Sequence, residues 1–356
     1  MRRLATIRKI DEINPIEGAD AIEVATVGGW KVVVKKGEYS AGDLAVYFEI
    51  DSWIPYELAP FLSNPDRGPR EFEGVKGERL RTIKLRGQIS QGLLLPMFIL
   101  KLFIMDYQQY HDLIEDDDVT DILGILKYER PMNAQLAGLA KGNFPSFIPK
   151  TDEERVQNLK KQLEKWKDTN ETFEVTEKYD GSSMTVFFRD NALDEDGNII
   201  DEFGVCSRNL QLKETEGNSF WEAANKLELR EKMSWLKRNL AIQAELVGEG
   251  VQGNKYKLVG RKFFVFRMYD IDTGKYLLDG ERKELCNVLG LQHVAPLGYI
   301  TFNELTSIDG LLEFAEGKSV LNAKTEREGV VFKNTVNPEF HFKAISNRFL
   351  LKNGDE

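Results

Sequence analysis

The sequence predicts an α+β chain, with a small N-terminal β-barrel followed by a second domain built on antiparallel sheets with flanking helices. Three observations lead there. Short alternating runs punctuated by glycine fill the first hundred residues. A proline-bracketed stretch, GNFPSFIPK, then leads into a helical period. Beyond it, strand-like and helix-like segments mix with hairpin signals, the order of an antiparallel α+β domain and not of a doubly wound parallel sheet.

In the first part, Leu44, Val46, Phe48 and Ile50 alternate with smaller or polar residues, the period of a half-buried strand. Ile22 and Val24 alternate in the same way, and Trp30 to Val34 is rich in β-branched residues. Gly28-Gly29, Gly37 and Gly42 punctuate these runs, and Gly87 and Gly92 bracket a turn before Leu93-Leu94-Leu95. A five-stranded barrel of the OB type fits this spacing, and an SH3-like barrel fits the period almost as well. Within it, KGERLRTIKLRG (residues 76–87) carries Lys76, Arg79, Arg81, Lys84 and Arg86 against one acid, Glu78. Arg79, Arg81, Lys84 and Arg86 are candidates to follow a phosphate backbone. A solvated strand face is the plain alternative.

Residues 98–131 read as less regular. They hold an apolar stretch from Phe98 to Met105, an acidic run from Glu115 to Asp118 and a short helix-like piece at Ile122 to Leu126. The expected domains are therefore 1–100, a connection over 101–140, and 141–356. In the last, Thr151 and Glu154 form a possible capping box ahead of Val156, Leu159, Leu163 and Trp166 at helical spacing. Strands are expected at 172–178, 183–189, 203–207, 241–247, 263–271, 328–334 and 339–344. A helix is expected at 220–239, with Ser219 and Glu222 as a second capping box.

Composition narrows the function. A chain of 356 residues suits two domains of about 100–200 residues each. The net charge of −10 argues against indiscriminate coating of nucleic acid but leaves room for a local basic groove. Cys206 and Cys286 make no disulfide framework, and His111, His293 and His341 lie too far apart in sequence for a structural zinc site. No apolar run approaches the roughly 20 residues that span a bilayer, and no secretory signal is evident. A cytoplasmic protein without a membrane partner is expected.

The chemistry concentrates in TEKYDGSSMTVFF (residues 176–188), where a strand ends at Lys178 and turns at Asp180-Gly181. Alone, this is a hairpin with an exposed lysine. It is followed, in order, by SRN (207–209), QAELVGEGVQGNKY (243–256), FFVFRMYDI (263–271), EGVVFKN (328–334) and FHFKAISNRFL (340–350). In that order the chain resembles the covalent nucleotidyltransferases, and most closely the ATP-dependent RNA ligases of the Deinococcus and Naegleria type. GDLAVYFEIDSWIP, TIKLRGQISQGL and FIPKTDEERVQN extend the resemblance to nearly the whole chain.

The resemblance implies an OB domain ahead of a nucleotidyltransferase (adenylation) domain, with RNA or an RNA-containing nicked duplex as the partner. It implies three steps: Lys178 takes AMP from ATP, AMP passes to an RNA 5′-phosphate, and a 3′-hydroxyl displaces it. Lysine suits the covalent role because an amine forms a phosphoramidate that stays reactive. A free lysine has a pKa of about 10.4, and bringing it near 7 demands roughly 4 kcal/mol of differential interaction. Burial, Lys343 and a divalent ion are the expected suppliers.

Further roles come from the same resemblance. Asp180, Glu245 and Glu328 hold hydrated Mg²⁺ or Mn²⁺, hard ions that favour carboxylates. Phe266 stacks on adenine, Glu177 meets the adenine amino group, and Arg208 lies by the ribose and the RNA 5′-phosphate. Lys343, Lys333 and Arg155 are candidates for nucleotide contact, alongside Glu328. Several relatives carry two lysines one residue apart in the last motif; here the first place falls on His341, with only Lys343 kept. Two other motifs fail. Gly317-Lys318-Ser319 lacks the glycine that a P-loop needs at 312, where Leu312 stands, and GEGVQG lacks a strand–turn–helix context. The barrel comes before the catalytic segment, the order of the RNA ligases and not of DNA ligases or capping enzymes. The expected protein is a monomeric RNA ligase; the alternatives are an inactive OB-domain binding protein and a general DNA ligase.

Overall fold

The computed structural model describes residues 2–129, 138–193 and 197–353. They fall into two compact units, one drawn from residues 1–131, 157–160 and 350–356, the other from 132–156 and 161–349. Residues 130–137 of the expected connection lie outside the described residues.

The first unit is antiparallel β, as expected, with more strands than five. Ala5–Lys9, Leu44–Phe48 and Leu93–Pro96 form one sheet, and Glu12–Pro15, Ile22–Val27 and Trp30–Lys35 form a meander beside it. The strand Leu44–Phe48 is not half-buried. Val46 and Phe48 pack into one apolar cluster, while Ala45 and Tyr47 pack into another on the opposite face. Alternation therefore separates two cores here, not core from water, and Leu44 at the strand's end is exposed. The first of these clusters also takes in Ile99, Leu100, Ile104, Val119, Leu123 and Ile125, from the stretch read as a connection.

The basic segment 76–87 is not one strand. Val75–Arg79 pairs with Ser52–Pro55 and Arg70–Phe72, whereas Thr82–Leu85 makes a separate hairpin with Gln88–Gln91. Buried Leu80 anchors the break, because an apolar side chain is drawn inward between two solvated stretches.

The second unit holds two sheets. The larger has the order Ala140–Asn143, Leu210–Leu212, Ile199–Cys206, Ser182–Leu193, Leu240–Gly248, Arg261–Asp270, Lys275–Tyr276, with Gln292–His293 also on the Arg261–Asp270 strand. The smaller has the order Glu154–Arg155, His341–Ile345, Gly329–Asn334, Thr172–Lys178, Pro296–Thr301. One face of the larger sheet buries Val186, Leu240, Ile242 and Val265 against Phe220, Trp221, Met233 and Cys286 of the flanking helices. On the smaller sheet Phe173, Phe332 and Phe342 stack around Trp166 and Phe302, with ring centroids of Trp166 and Phe342 5.4 Å apart.

The strand expectations fall on observed strands; both capping boxes do not. Helix 220–239 is two helices, Ser219–Lys226 and Leu229–Leu236, broken where Glu228 takes φ +53°. Its cap is Asn218, whose side chain accepts from Phe220 N and Trp221 N, while Glu222 is drawn off to Arg261 at 2.5 Å. Thr151 instead bonds Ser183 at 3.0 Å, and the helix that follows runs only over Lys160–Asp168.

Candidate active site

Lys178 ends a strand of the smaller sheet, and four residues later the chain enters the larger one at Ser182. The crossing is tight. A Cβ on Gly181 would sit 2.4 Å from the Leu246 carbonyl oxygen, so this position accepts only glycine. Gly181 N donates to Glu245 Oε1 at 3.0 Å, which pins the turn to the central strand of the larger sheet.

Alternation decides which side chains share a face. Phe173 and Val175 point into the aromatic core. Glu174, Thr176 and Lys178 lie on the other face, in register with Lys333, Val331 and Gly329, and these with His341, Lys343 and Ile345. Arg155 pairs in register with Lys343 at the sheet edge. One polar face therefore carries Lys178, Lys333, Lys343 and Arg155.

At its end Lys178 Nζ donates to both oxygens of Glu328, each at 2.7 Å. Burial works against the ammonium, but Glu328 and then Glu245 outweigh it and hold Lys178 above lysine's ordinary value. The lowering expected of Lys178 rests on burial, Lys343 and a divalent ion together; burial does act in that direction, and the two glutamates outweigh it. Asp180 Oδ2 accepts from Lys255 Nζ at 2.7 Å, and its backbone N–H donates to the Tyr256 hydroxyl at 2.6 Å. Burial, with Glu328 and Asp180 nearby, pushes Glu245 up to about 8. Glu328 is also raised by burial and by Asp180, against the pull of Lys178.

Asp180, Glu245 and Glu328 are thus electrostatic neighbours, each held by a different donor. Among the described residues no group of three or more His, Cys, Asp or Glu side chains forms a direct metal cage. The donor set still fits a hard divalent ion bound largely through water: three carboxylates raise one another's affinity for positive charge.

Beside the lysine, Glu177 is almost wholly buried. Its Oε2 accepts from Val320 N at 2.8 Å, while Oε1 has no hydrogen-bond partner among the described residues. Burial raises its pKa, and a bond to Ser319 lowers it. Half-buried Phe266 packs with Tyr179, Tyr256, Phe264 and Val294. It sits where the pairing of Leu240–Gly248 with Arg261–Asp270 shifts register, which turns Phe266 and Arg267 out of simple alternation.

Arg267 and Glu153 are not legible as site residues in the sequence. Arg267 donates to Glu153 Oε1 at 2.9 Å, and its Nη2 and Nη1 lie 2.9 and 3.3 Å from Nδ1 and Nε2 of His341. Burial and then Arg267 bring His341 down to about 3, so it is neutral at physiological pH and turned toward Arg267. Burial opposes ionisation of Glu153, but Arg267 and Lys343 outweigh it. Lys333 is buried, bonds Thr176 Oγ1 at 3.3 Å, and is lowered to about 7 by burial and then Arg282. Lys255 and Tyr256 stand in the motif QAELVGEGVQGNKY, but only the fold reveals their partner.

Arg208 contacts Asp152 and is about half exposed. The other four basic candidates lie in the first unit. Arg79 pairs with Asp51 at 2.7 Å and covers the Tyr128 ring, Arg81 is partly buried, and Lys84 and Arg86 are exposed on the separate hairpin.

A family model described as an OB-fold domain matches residues 4–97, and one described as RNA ligase matches residues 171–352. Comparison with curated proteins finds no match. Among solved structures, a Naegleria gruberi RNA ligase mutant with ATP and Mn is 45% identical, with TM-score 0.86, covering 99% of this chain and 100% of that one. A further mutant of that ligase with AMP and Mn is 45% identical, with TM-score 0.88 and full coverage of both chains. The Naegleria gruberi RNA ligase with PPi is 44% identical, with TM-score 0.87, again covering 100% of each chain.

Proposed function

The chain belongs to the RNA ligase family, and we propose that Lys178 is the nucleophile through which it joins RNA 3′-hydroxyl and 5′-phosphate ends. It is an ATP-dependent RNA ligase that works by adenylylation and uses a divalent metal, Mg²⁺ or Mn²⁺. The observation that carries the site assignment is the Lys178–Glu328 pair at 2.7 Å, beside Asp180 and Glu245.

In the first step the Lys178 amine attacks the α-phosphorus of ATP. An N–P bond forms, the P–O bond to pyrophosphate breaks, and lysyl-AMP remains. Paired with Glu328 and raised by it, Lys178 is an ammonium and cannot attack. Asp180, Glu245 and Glu328 would hold the divalent ion, whose charge would end this compensation and lower the amine's pKa. Glu177 Oε1, without a hydrogen-bond partner among the described residues, suits the adenine amino group, and Phe266 suits its ring. Lys343, Lys333 and Arg155 share the face of Lys178, which suits the triphosphate. Among them the buried Lys333, lowered to about 7, carries only part of its charge near neutral pH. Glu328, on the same rim, completes this set.

In the second step an RNA 5′-phosphate oxygen attacks the AMP phosphorus and Lys178 leaves as the amine. Arg208, half exposed beside Asp152, suits the incoming 5′-phosphate and the ribose. In the third step the 3′-hydroxyl attacks the 5′-phosphorus, AMP leaves, and the phosphodiester is made. Arg79, Arg81, Lys84 and Arg86 then grip the nucleic acid, with Lys84 and Arg86 the better exposed. We place the activity on a nicked duplex with a ribose 3′-end, in a monomer, in the cytoplasm, where the two unbonded cysteines fit a reducing setting. Among the described residues no helix is long and apolar enough to cross a membrane.

The test is single-turnover sealing of three nicked duplexes with ATP and Mn²⁺: all DNA, a ribose 3′-end, and RNA on both sides. Sealing confined to ribose-ended nicks supports the reading, and equal sealing of the all-DNA nick overturns the RNA preference. Labelled ATP in the same mixture must leave a covalent label that Lys178→Ala abolishes.

A further inference from the structure

The loop 252–258 brings a second lysine to the rim of the site. Lys255 Nζ is 2.7 Å from Asp180 Oδ2, and both side chains are about four-fifths buried. The two ion pairs there are matched in length: Lys178 on Glu328 and Lys255 on Asp180. Two ammonium groups thus bring two positive charges to two of the carboxylates assigned to the metal, the charge of one divalent ion. Lys178 has a reason to be there, because it is the nucleophile. Lys255 has no role in the three steps.

The backbone around Lys255 is fixed. Its carbonyl accepts from Thr325 Oγ1 at 2.9 Å, and that of Tyr256 accepts from Asn322 Nδ2 at 3.2 Å. Asn254 closes the loop on itself through both backbone groups of Leu258, at 2.9 and 3.0 Å. Tyr256 is held in turn by the Asp180 N–H. What can move is the lysine side chain, whose Nζ also lies 5.3 Å from the centre of the Phe349 ring while it pairs with Asp180.

We propose that Lys255 is an exchangeable counterion of Asp180, which holds the carboxylate until a divalent ion takes its place. The proposal rests on the reading that Asp180 belongs to the metal site. Lys255 then competes with the ion, so it sets metal affinity, keeps Asp180 oriented while no ion is bound, and opposes occupancy by weakly binding cations.

The test measures Mn²⁺ binding to the full chain without ATP, reading free Mn²⁺ by electron paramagnetic resonance. The variants are Lys255→Met, Lys255→Gln, Lys255→Arg, Asp180→Asn and the double variant Lys255→Met with Asp180→Asn. Lys255→Met and Lys255→Gln are expected to bind Mn²⁺ about ten-fold tighter, the scale of coupling between two ligands that compete for one group. Lys255→Arg keeps a cation on Asp180 and stays near the unsubstituted affinity. The gain disappears in the double variant. Unchanged or weaker binding by both Lys255→Met and Lys255→Gln, with circular dichroism and Tm intact, overturns the proposal. Tighter binding that persists in the double variant overturns it too, because the effect then bypasses Asp180. If Asp180→Asn alone leaves Mn²⁺ affinity unchanged, the metal-site reading fails first and the proposal falls with it.

Discussion

Lys178 and Glu328, 150 residues apart in sequence, meet with both carboxylate oxygens 2.7 Å from one ammonium. The pair sits at the junction of the two sheets of the second unit, and it stabilises the protonated form of Lys178. If Lys178 is the nucleophile, as proposed, activation means breaking this pair, and the measurable consequences start from it.

Lys178→Arg keeps a cation for Glu328 but removes the proposed nucleophile, since a guanidinium with pKa above about 12 stays protonated. Its thermal midpoint is expected to remain within a few degrees of the unsubstituted protein, with the covalent AMP label reduced at least about 10³-fold, on the scale of nucleophile loss. A variant that still takes up label, read by gel autoradiography, contradicts the assignment.

Glu177→Ala removes the buried carboxylate proposed to meet the adenine amino group. The preference for ATP over GTP, as a ratio of kcat/KM for label formation, should fall by about 10- to 100-fold, the cost of one unmade polar interaction in a buried site. An unchanged ratio would place base recognition elsewhere.

Gly181→Ala pushes a Cβ to within 2.4 Å of the Leu246 carbonyl. The urea midpoint should fall by the equivalent of about 1–3 kcal/mol, the usual cost of overpacking, and label formation should fall with it because Asp180 and Glu245 are held by the same turn. A stable, active variant would show that the two sheets separate there without cost.

Lys333 has a pH signature. Its native value of about 7 lies below its ordinary 10.5. The native state therefore favours the neutral amine, and this stabilising contribution is present above 10.5 and is lost as pH falls through 7. Lys333→Met has no such loss. Its Tm relative to the unsubstituted protein should rise by a few degrees between pH 9.5 and pH 6.5, measured by differential scanning fluorimetry. A constant difference across that range would mean that Lys333 is charged in both states.

Lys84→Ala with Arg86→Ala is expected to leave lysyl-AMP formation intact and weaken binding to nicked RNA. The slope of log affinity against log salt should flatten by about 0.7–0.9 for each phosphate that the hairpin no longer neutralises. An equal fall in label formation would remove the division of labour between hairpin and active site.

The sequence is most legible where a local rule governs. Strand Thr172–Lys178 falls where it is expected, at 172–178, since alternation, a lysine and an Asp-Gly turn are contiguous signals. Leu44–Phe48 is legible as a strand but not as one with two buried faces, because alternation marks a period and not what lies beyond each face. The helix expected at 220–239 differs at its start and middle. Asn218 outcompetes Ser219 for the cap, and a left-handed Glu228 carries no glycine to announce it.

By itself, the sequence determined the order of the motifs and hence the candidate nucleophile, its carboxylates, the α+β class and the barrel in front. Only the tertiary structure decided who partners whom: Glu328 on Lys178, Lys255 on Asp180, Arg267 on His341 and Glu153. Motifs are local and survive as strings. Ion pairs between residues 75 to 150 positions apart depend on strand register and burial, which make a charge costly unless one particular partner is within reach.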